Sequence, residues 1–192
     1  MEVQLTKEEK IKVSNSREVY QILIKILDRE EGLGINQEHF WLIGLSEDYM
    51  LLFVELIALG TGNRFIVDPR EVFYMAVHKN SMYVILAHNH PGEGPPGPSG
   101  ADEDLTDQLL HAAELLNMEV IDHLVITKDS FYSFTLTGTL SKLEQSKKYA
   151  VYFIEEEKLL KKGKEEGVAI GEIKGIKKAE KKARLEKIEI AK

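Results

Sequence analysis

Cysteine is absent from this 192-residue chain, which excludes disulfides and thiolate metal ligands together. Any metal would have to be held by nitrogen and oxygen. A long uncharged apolar run is missing too. The longest apolar stretch, Tyr49 to Leu59, is broken by Glu55 and is far too short to cross a bilayer. The first eight residues, Met1 to Glu8, are charged and lack the apolar stretch of a secretory signal. The expectation is a soluble, cytoplasmic protein with no membrane partner.

What remains is ordinary globular composition, 43% hydrophobic and 30% charged, in a chain long enough to bury a core without staples. Charge is unevenly placed. The net charge is −7, yet residues 141–192 hold 15 Lys and Arg against 10 Glu, and residues 1–140 hold 10 basic against 22 acidic side chains. An acidic body repels phosphate backbones, so only the tail is a candidate for DNA.

Ser16 reads as a helix N-cap ahead of an apolar stripe at Val19, Ile22, Leu23, Ile26 and Leu27, a spacing that buries one helical face. Gly32 and Gly34 are expected to end it. His39 to Leu45 and Tyr49 to Leu59 read as strands joined by a polar turn, hence an antiparallel hairpin. Asp68-Pro69 opens a second helix, because proline loses nothing at the first helical position. Met82 to Ala87 is wholly apolar and of strand length, which predicts a central strand. It runs into His88-Asn89-His90-Pro91 and then a Gly/Pro loop, Gly92 to Gly100. A third helix follows with Leu105, Leu109, Leu110, Ala113 and Leu116 on its apolar side. Val120 to Thr127 and Phe131 to Leu136 read as two last strands. The order α-β-β-α-β-α-β-β predicts an α/β (α+β) domain with a mixed sheet flanked by helices.

His88 and His90 lie two apart at a strand end, where alternation sends both imidazoles to one side and Asn89 to the other. Two convergent imidazoles are half of a tetrahedral zinc shell. By itself an H-x-H pair is more often polar decoration of a strand end. The remaining histidines, His39, His78, His111 and His123, read as structural or partly exposed.

The whole run, His88-Asn89-His90-Pro91 followed by Pro98-Ser99-Gly100-Ala101-Asp102, resembles the JAMM motif of the JAB/MPN metallopeptidases, and most closely the bacterial RadC-like members. Glu38-His39-Phe40, Gly60-Thr61, Pro69-Arg70-Glu71, Asp122-His123 and Tyr132-Ser133-Phe134 are similar to other stretches of that family. The resemblance implies a cytidine-deaminase-like JAB/MPN fold. It also implies one zinc per chain held by His88, His90 and Asp102, with Glu38 as general base and Ser99 as oxyanion partner. Periodicity would not choose Glu38 over Glu55 or Glu71, and Asp104 and Asp107 lie close to Asp102. In two respects the chain departs from the family pattern. Eight residues, rather than seven, separate His90 from Ser99, and the helix-hairpin-helix segment of many RadC proteins is not expected here. The family's DNA-repair association therefore transfers poorly.

These observations divide the chain into an N-terminal segment (1–13), a RadC-like JAB/MPN domain (14–140) and a charged, mostly helical extension (141–192). The extension's glycines at 163, 167, 171 and 175 recur every fourth residue, each costing a helix roughly 1 kcal/mol. The implied function is hydrolysis of a peptide or isopeptide bond in a peptide or protein substrate. The alternatives are a non-catalytic or regulatory JAB interaction module, and a DNA-associated protein docking through its tail. The extension is also suited to helix-mediated assembly, with a second copy or with another protein.

Overall fold

The computed structural model describes residues 1–6, 11–29, 37–60, 67–92, 94–149 and 162–163. The chain divides into two compact units, Met1–Tyr149 and Ala150–Lys192. The glycine repeat lies outside the described residues except for Gly163, and so do Gly32, Gly34 and Thr61.

In the first unit the elements run α1 (Ser16–Arg29), β1 (Glu38–Leu45), β2 (Leu51–Gly60), α2 (Pro69–His78), β3 (Tyr83–Asn89), α3 (Gly100–Leu115), β4 (Glu119–Ile126), β5 (Phe131–Ser133) and α4 (Thr139–Glu144). The five strands form one mixed sheet ordered β2-β1-β3-β4-β5. β1 is antiparallel to both β2 and β3, whereas β3 and β4 are parallel. Parallel neighbours need a long crossover, and α3 provides it.

Strand alternation sorts the core into two layers. Trp41, Ile43, Leu45, Ile85, Ala87, Leu124 and Ile126 pack with the α1 stripe of Val19, Ile22, Leu23 and Ile26. Phe40, Leu42, Val84 and Leu86 face the other way and pack with Val72, Phe73 and Ala76 of α2 and Leu109 and Ala113 of α3. Each large aliphatic or aromatic side chain fully buried this way contributes roughly 1.5–3 kcal/mol. Even-numbered positions of β3 face α3, so the same alternation points His88 toward the helix that carries Asp102. A Cβ on Gly44 would lie 2.0 Å from the Phe53 ring, so only glycine lets that ring close the core beside β1.

Four local expectations need correction. Asn15, not Ser16, caps α1: its Oδ1 accepts the Glu18 N–H at 3.1 Å, while the Ser16 hydroxyl donates to Asp122 Oδ2 at 2.7 Å. Tyr49 takes a left-handed φ of 62° in the turn, so β2 begins at Leu51. Leu116 is the C-cap of α3 and is exposed. The last strand stops at Ser133 rather than Leu136 because Asp122 draws the chain into a turn. Its carboxylate accepts the Ser133 hydroxyl at 2.6 Å and the Thr135 N–H at 3.0 Å. No described helix is long and apolar enough to cross a membrane.

Candidate metal centre

The sheet brings the site together at the carboxyl ends of β3 and β4. His88 is the penultimate residue of β3, and His90 follows it directly. The His90 N–H donates to the Ile126 carbonyl at 2.8 Å, which carries the β3–β4 ladder one step past the strand. The chain then leaves through the eight-residue loop Pro91–Pro98 and returns at Ser99, the N-cap of α3. Asp102 sits three residues into that helix and closes a capping box with Ser99. Its N–H donates to Ser99 Oγ at 3.2 Å, while the Ser99 N–H and hydroxyl each donate to Asp102 Oδ2 at 2.7 Å. The cap thus satisfies orphan helix donors and orients the carboxylate in the same stroke.

Three donor atoms meet here. His88 Nε2 lies 3.1 Å from His90 Nε2 and 3.5 Å from Asp102 Oδ1. His90 Nε2 is 3.8 Å from Asp102 Oδ2. One ligand atom from each residue falls within 4.8 Å of the others, a group able to hold a metal ion. Tetrahedral zinc with ligands at about 2.0–2.2 Å requires donors about 3.3–3.6 Å apart, so the spacing and the N, N, O donor set both suit it.

The electrostatics favour the metal-binding forms of Asp102 and His90. Burial pushes the Asp102 carboxyl up, but His88 and the hydroxyl and N–H of Ser99 outweigh it and hold the group well below the usual carboxylate range. Burial, then the neighbouring His88, lowers His90 below the ordinary imidazole value, against the pull of Asp102 and Glu38. Both shifts favour the carboxylate form of Asp102 and the neutral form of His90.

Glu38, His90, Pro91, Gly92, Ser99, Ala101 and Asp102 line one pocket of about 530 Å³. Glu38 begins β1, across from the end of β3. A residue the sequence reading set aside places it there. Buried Asn89 accepts the His39 N–H at 2.6 Å and donates to the Gln37 carbonyl at 3.0 Å. These bonds bracket Glu38 and continue the β1–β3 ladder after backbone pairing stops at Phe40 and His88. Glu55 and Glu71 are not among the pocket's lining residues. Asp104 is engaged by Lys148 and Tyr149 instead, and Asp107 by His111 and Ser146.

His123 also departs from its expected minor role. It is wholly buried, stacked on Phe134 with ring centroids 4.7 Å apart, and in contact with His88. Burial, then His88, drives its pKa well below the ordinary imidazole value. The sequence signal for it is the Asp122-His123 pair within the family resemblance; strand alternation does not mark it, because the register shifts beside Ile121.

A family model described as "RadC-like JAB domain" matches residues 13–139. Among curated proteins, a UPF0758 protein of Clostridium kluyveri is 41% identical over 115 residues, 60% of this chain and 50% of that protein. One from Desulforudis audaxviator is 39% identical over 109 residues, covering 57% and 47%. One from Pelodictyon phaeoclathratiforme is 33% identical over 129 residues, covering 67% and 55%. The chain spans about half the length of the curated relatives it matches.

Proposed function

The chain belongs to the RadC-like JAB domain family, and from that membership we propose that it is a zinc-dependent hydrolase cleaving amide bonds of peptide or isopeptide type. The observation that carries the reading is the convergence of His88, His90 and Asp102 beside a pocket that Glu38 also lines. Catalytic zinc sites pair three protein ligands with an open position. Two imidazoles and a carboxylate are a ligand set that catalytic zinc uses, and the family membership favours zinc over the iron that can share such a set.

His88, His90 and Asp102 would hold the ion. When bound, it supplies Lewis acidity that makes water a nucleophile near neutral pH and polarises a carbonyl. The other roles fall to side chains. Glu38 takes a proton from the attacking water and delivers it to the leaving amine, the work of a carboxylate held at the rim of such a pocket. Ser99 serves Asp102 first, since its hydroxyl hydrogen points at Oδ2. Rotating toward substrate would let the hydroxyl donate to a developing oxyanion. The Ser99 N–H, also 2.7 Å from Oδ2, keeps the carboxylate in place meanwhile. The eight-residue loop still returns Asp102 to the two histidines, which favours a working site over a scaffold.

The test is Glu38→Gln in full-length protein. It should keep stoichiometric zinc and lose about 10²–10⁴-fold in hydrolysis, scored on a panel of peptides and isopeptide-linked conjugates. Zinc-loaded wild type that cleaves nothing in the panel would overturn the assignment.

A further inference from the structure

Behind the three ligands lies a line of buried polar contacts. His88 Nδ1 is 2.9 Å from His123 Nε2. His123 Nδ1 is 2.6 Å from Thr106 Oγ1. Thr106 Oγ1 is in turn 2.6 Å from the carbonyl oxygen of Asp102. Neither His123 nor Thr106 has any solvent exposure, so no water can complete either group.

Proton counting allows one neutral arrangement. A carbonyl oxygen only accepts, so the hydrogen between Thr106 and Asp102 must be the threonine's own. That hydroxyl has no second hydrogen, so the contact to His123 requires a hydrogen on His123 Nδ1. A neutral imidazole carries one, which leaves His123 Nε2 as an acceptor. The hydrogen in the last contact must then sit on His88 Nδ1. His88 Nε2, the atom facing His90 and Asp102, is left unprotonated. A doubly protonated His123 would reverse the last step, but a cation lying against Phe40 and Phe134, stripped of water, is strongly disfavoured.

We infer that Thr106 and His123 are positioning residues that set the His88 tautomer and so present its Nε2 for metal binding. The relay starts from the backbone of one ligand, Asp102, and ends on another, His88. One hydroxyl on α3 thereby ties the helix ligand to the strand ligand. The spacing gives this a simple origin: Thr106 lies one helical turn after Asp102, where a threonine hydroxyl reaches the carbonyl four residues back. His123 reaches across from β4, in the parallel register that pairs Leu86 with His123 and His88 with Val125.

The inference rests on the proposed metal site, and its test separates the two. In metal-free full-length protein, long-range ¹H–¹⁵N NMR of the imidazoles should show His88 protonated at Nδ1 and His123 protonated at Nδ1. Zinc affinity, measured by chelator competition, should fall about 10–100-fold in Thr106→Val and stay within about threefold of wild type in Thr106→Ser, the usual range for lost outer-shell hydrogen bonds. A merely structural threonine would lower the melting temperature in Thr106→Val without moving zinc affinity, and that result overturns the relay. Wild-type spectra with His88 protonated at Nε2 overturn it as well, whether or not Thr106→Val folds. Wild-type protein with no zinc uptake overturns the metal site itself, whatever the tautomers.

Discussion

His88 and His90 are two residues apart, yet the first side chain is 1% exposed and the second 31%. Behind His88 stand His123, Thr106 and Phe134, all fully buried. Beyond His90 runs the Pro91–Pro98 loop, whose described residues are exposed or half-buried. One side of the site is thus anchored in the core and the other opens to solvent. The contrast explains how the loop carries one residue more than the family pattern without taking Asp102 away from the two histidines. Asp102 is oriented by the α3 cap and by contacts to buried groups, so the loop only has to close, and closure entropy changes slowly with length. Under the proposed function, His88 fixes the metal to the anchored side and substrate would approach from the open one, where His90 and Glu38 line the pocket.

The sharpest way to break the contrast is Asp102→Ala. It removes a ligand and the carboxylate of the capping box together, and metal content after dialysis should fall from one per chain to near zero by elemental analysis. Thermal stability should drop as well, since loss of such a cap interaction costs about 0.5–2 kcal/mol.

Asn89→Ala probes the anchored side without touching a ligand. It strips the acceptor from the buried His39 N–H, which should cost about 1–3 kcal/mol in chemical denaturation. Zinc should be retained, while hydrolysis falls because Glu38 is no longer bracketed. Asn89→Asp, which keeps the acceptor for His39, should recover part of the stability.

The smallest effect is expected at the open side. Gly94 has a φ of 151° with nothing within 4 Å of a built Cβ. Gly94→Ala should therefore cost only about 1 kcal/mol of backbone strain, with unchanged zinc stoichiometry. Zinc loss in that variant would show that the loop, and not the cap, places Asp102.

Much of the fold was legible in the chain. The 3.6-residue stripe of α1, the Asp68-Pro69 helix start, the apolar run of β3 and the hairpin before it all follow local rules, and the structure shows each. Two of the departures share a cause, the buried carboxylate of Asp122. Serine is a common helix cap, but the Ser16 hydroxyl answers to Asp122, 106 residues away. The pattern from Phe131 to Leu136 predicts a longer β5, because alternation does not reveal that a buried carboxylate bends the chain after Ser133.

Sequence by itself determined which elements form and that two imidazoles leave one strand on one side, because helical and strand periodicities are properties of neighbouring residues. That His88, His90 and Asp102 belong together came from motif resemblance, and their distances came from the folded chain. Only the tertiary structure brings His123, Thr106 and Asn89 up against the site. Apart from the local Thr106–Asp102 bond, the hydrogen bonds that tie them in span 17 to 52 residues, and a contact made across a sheet leaves no periodic trace along the chain that makes it.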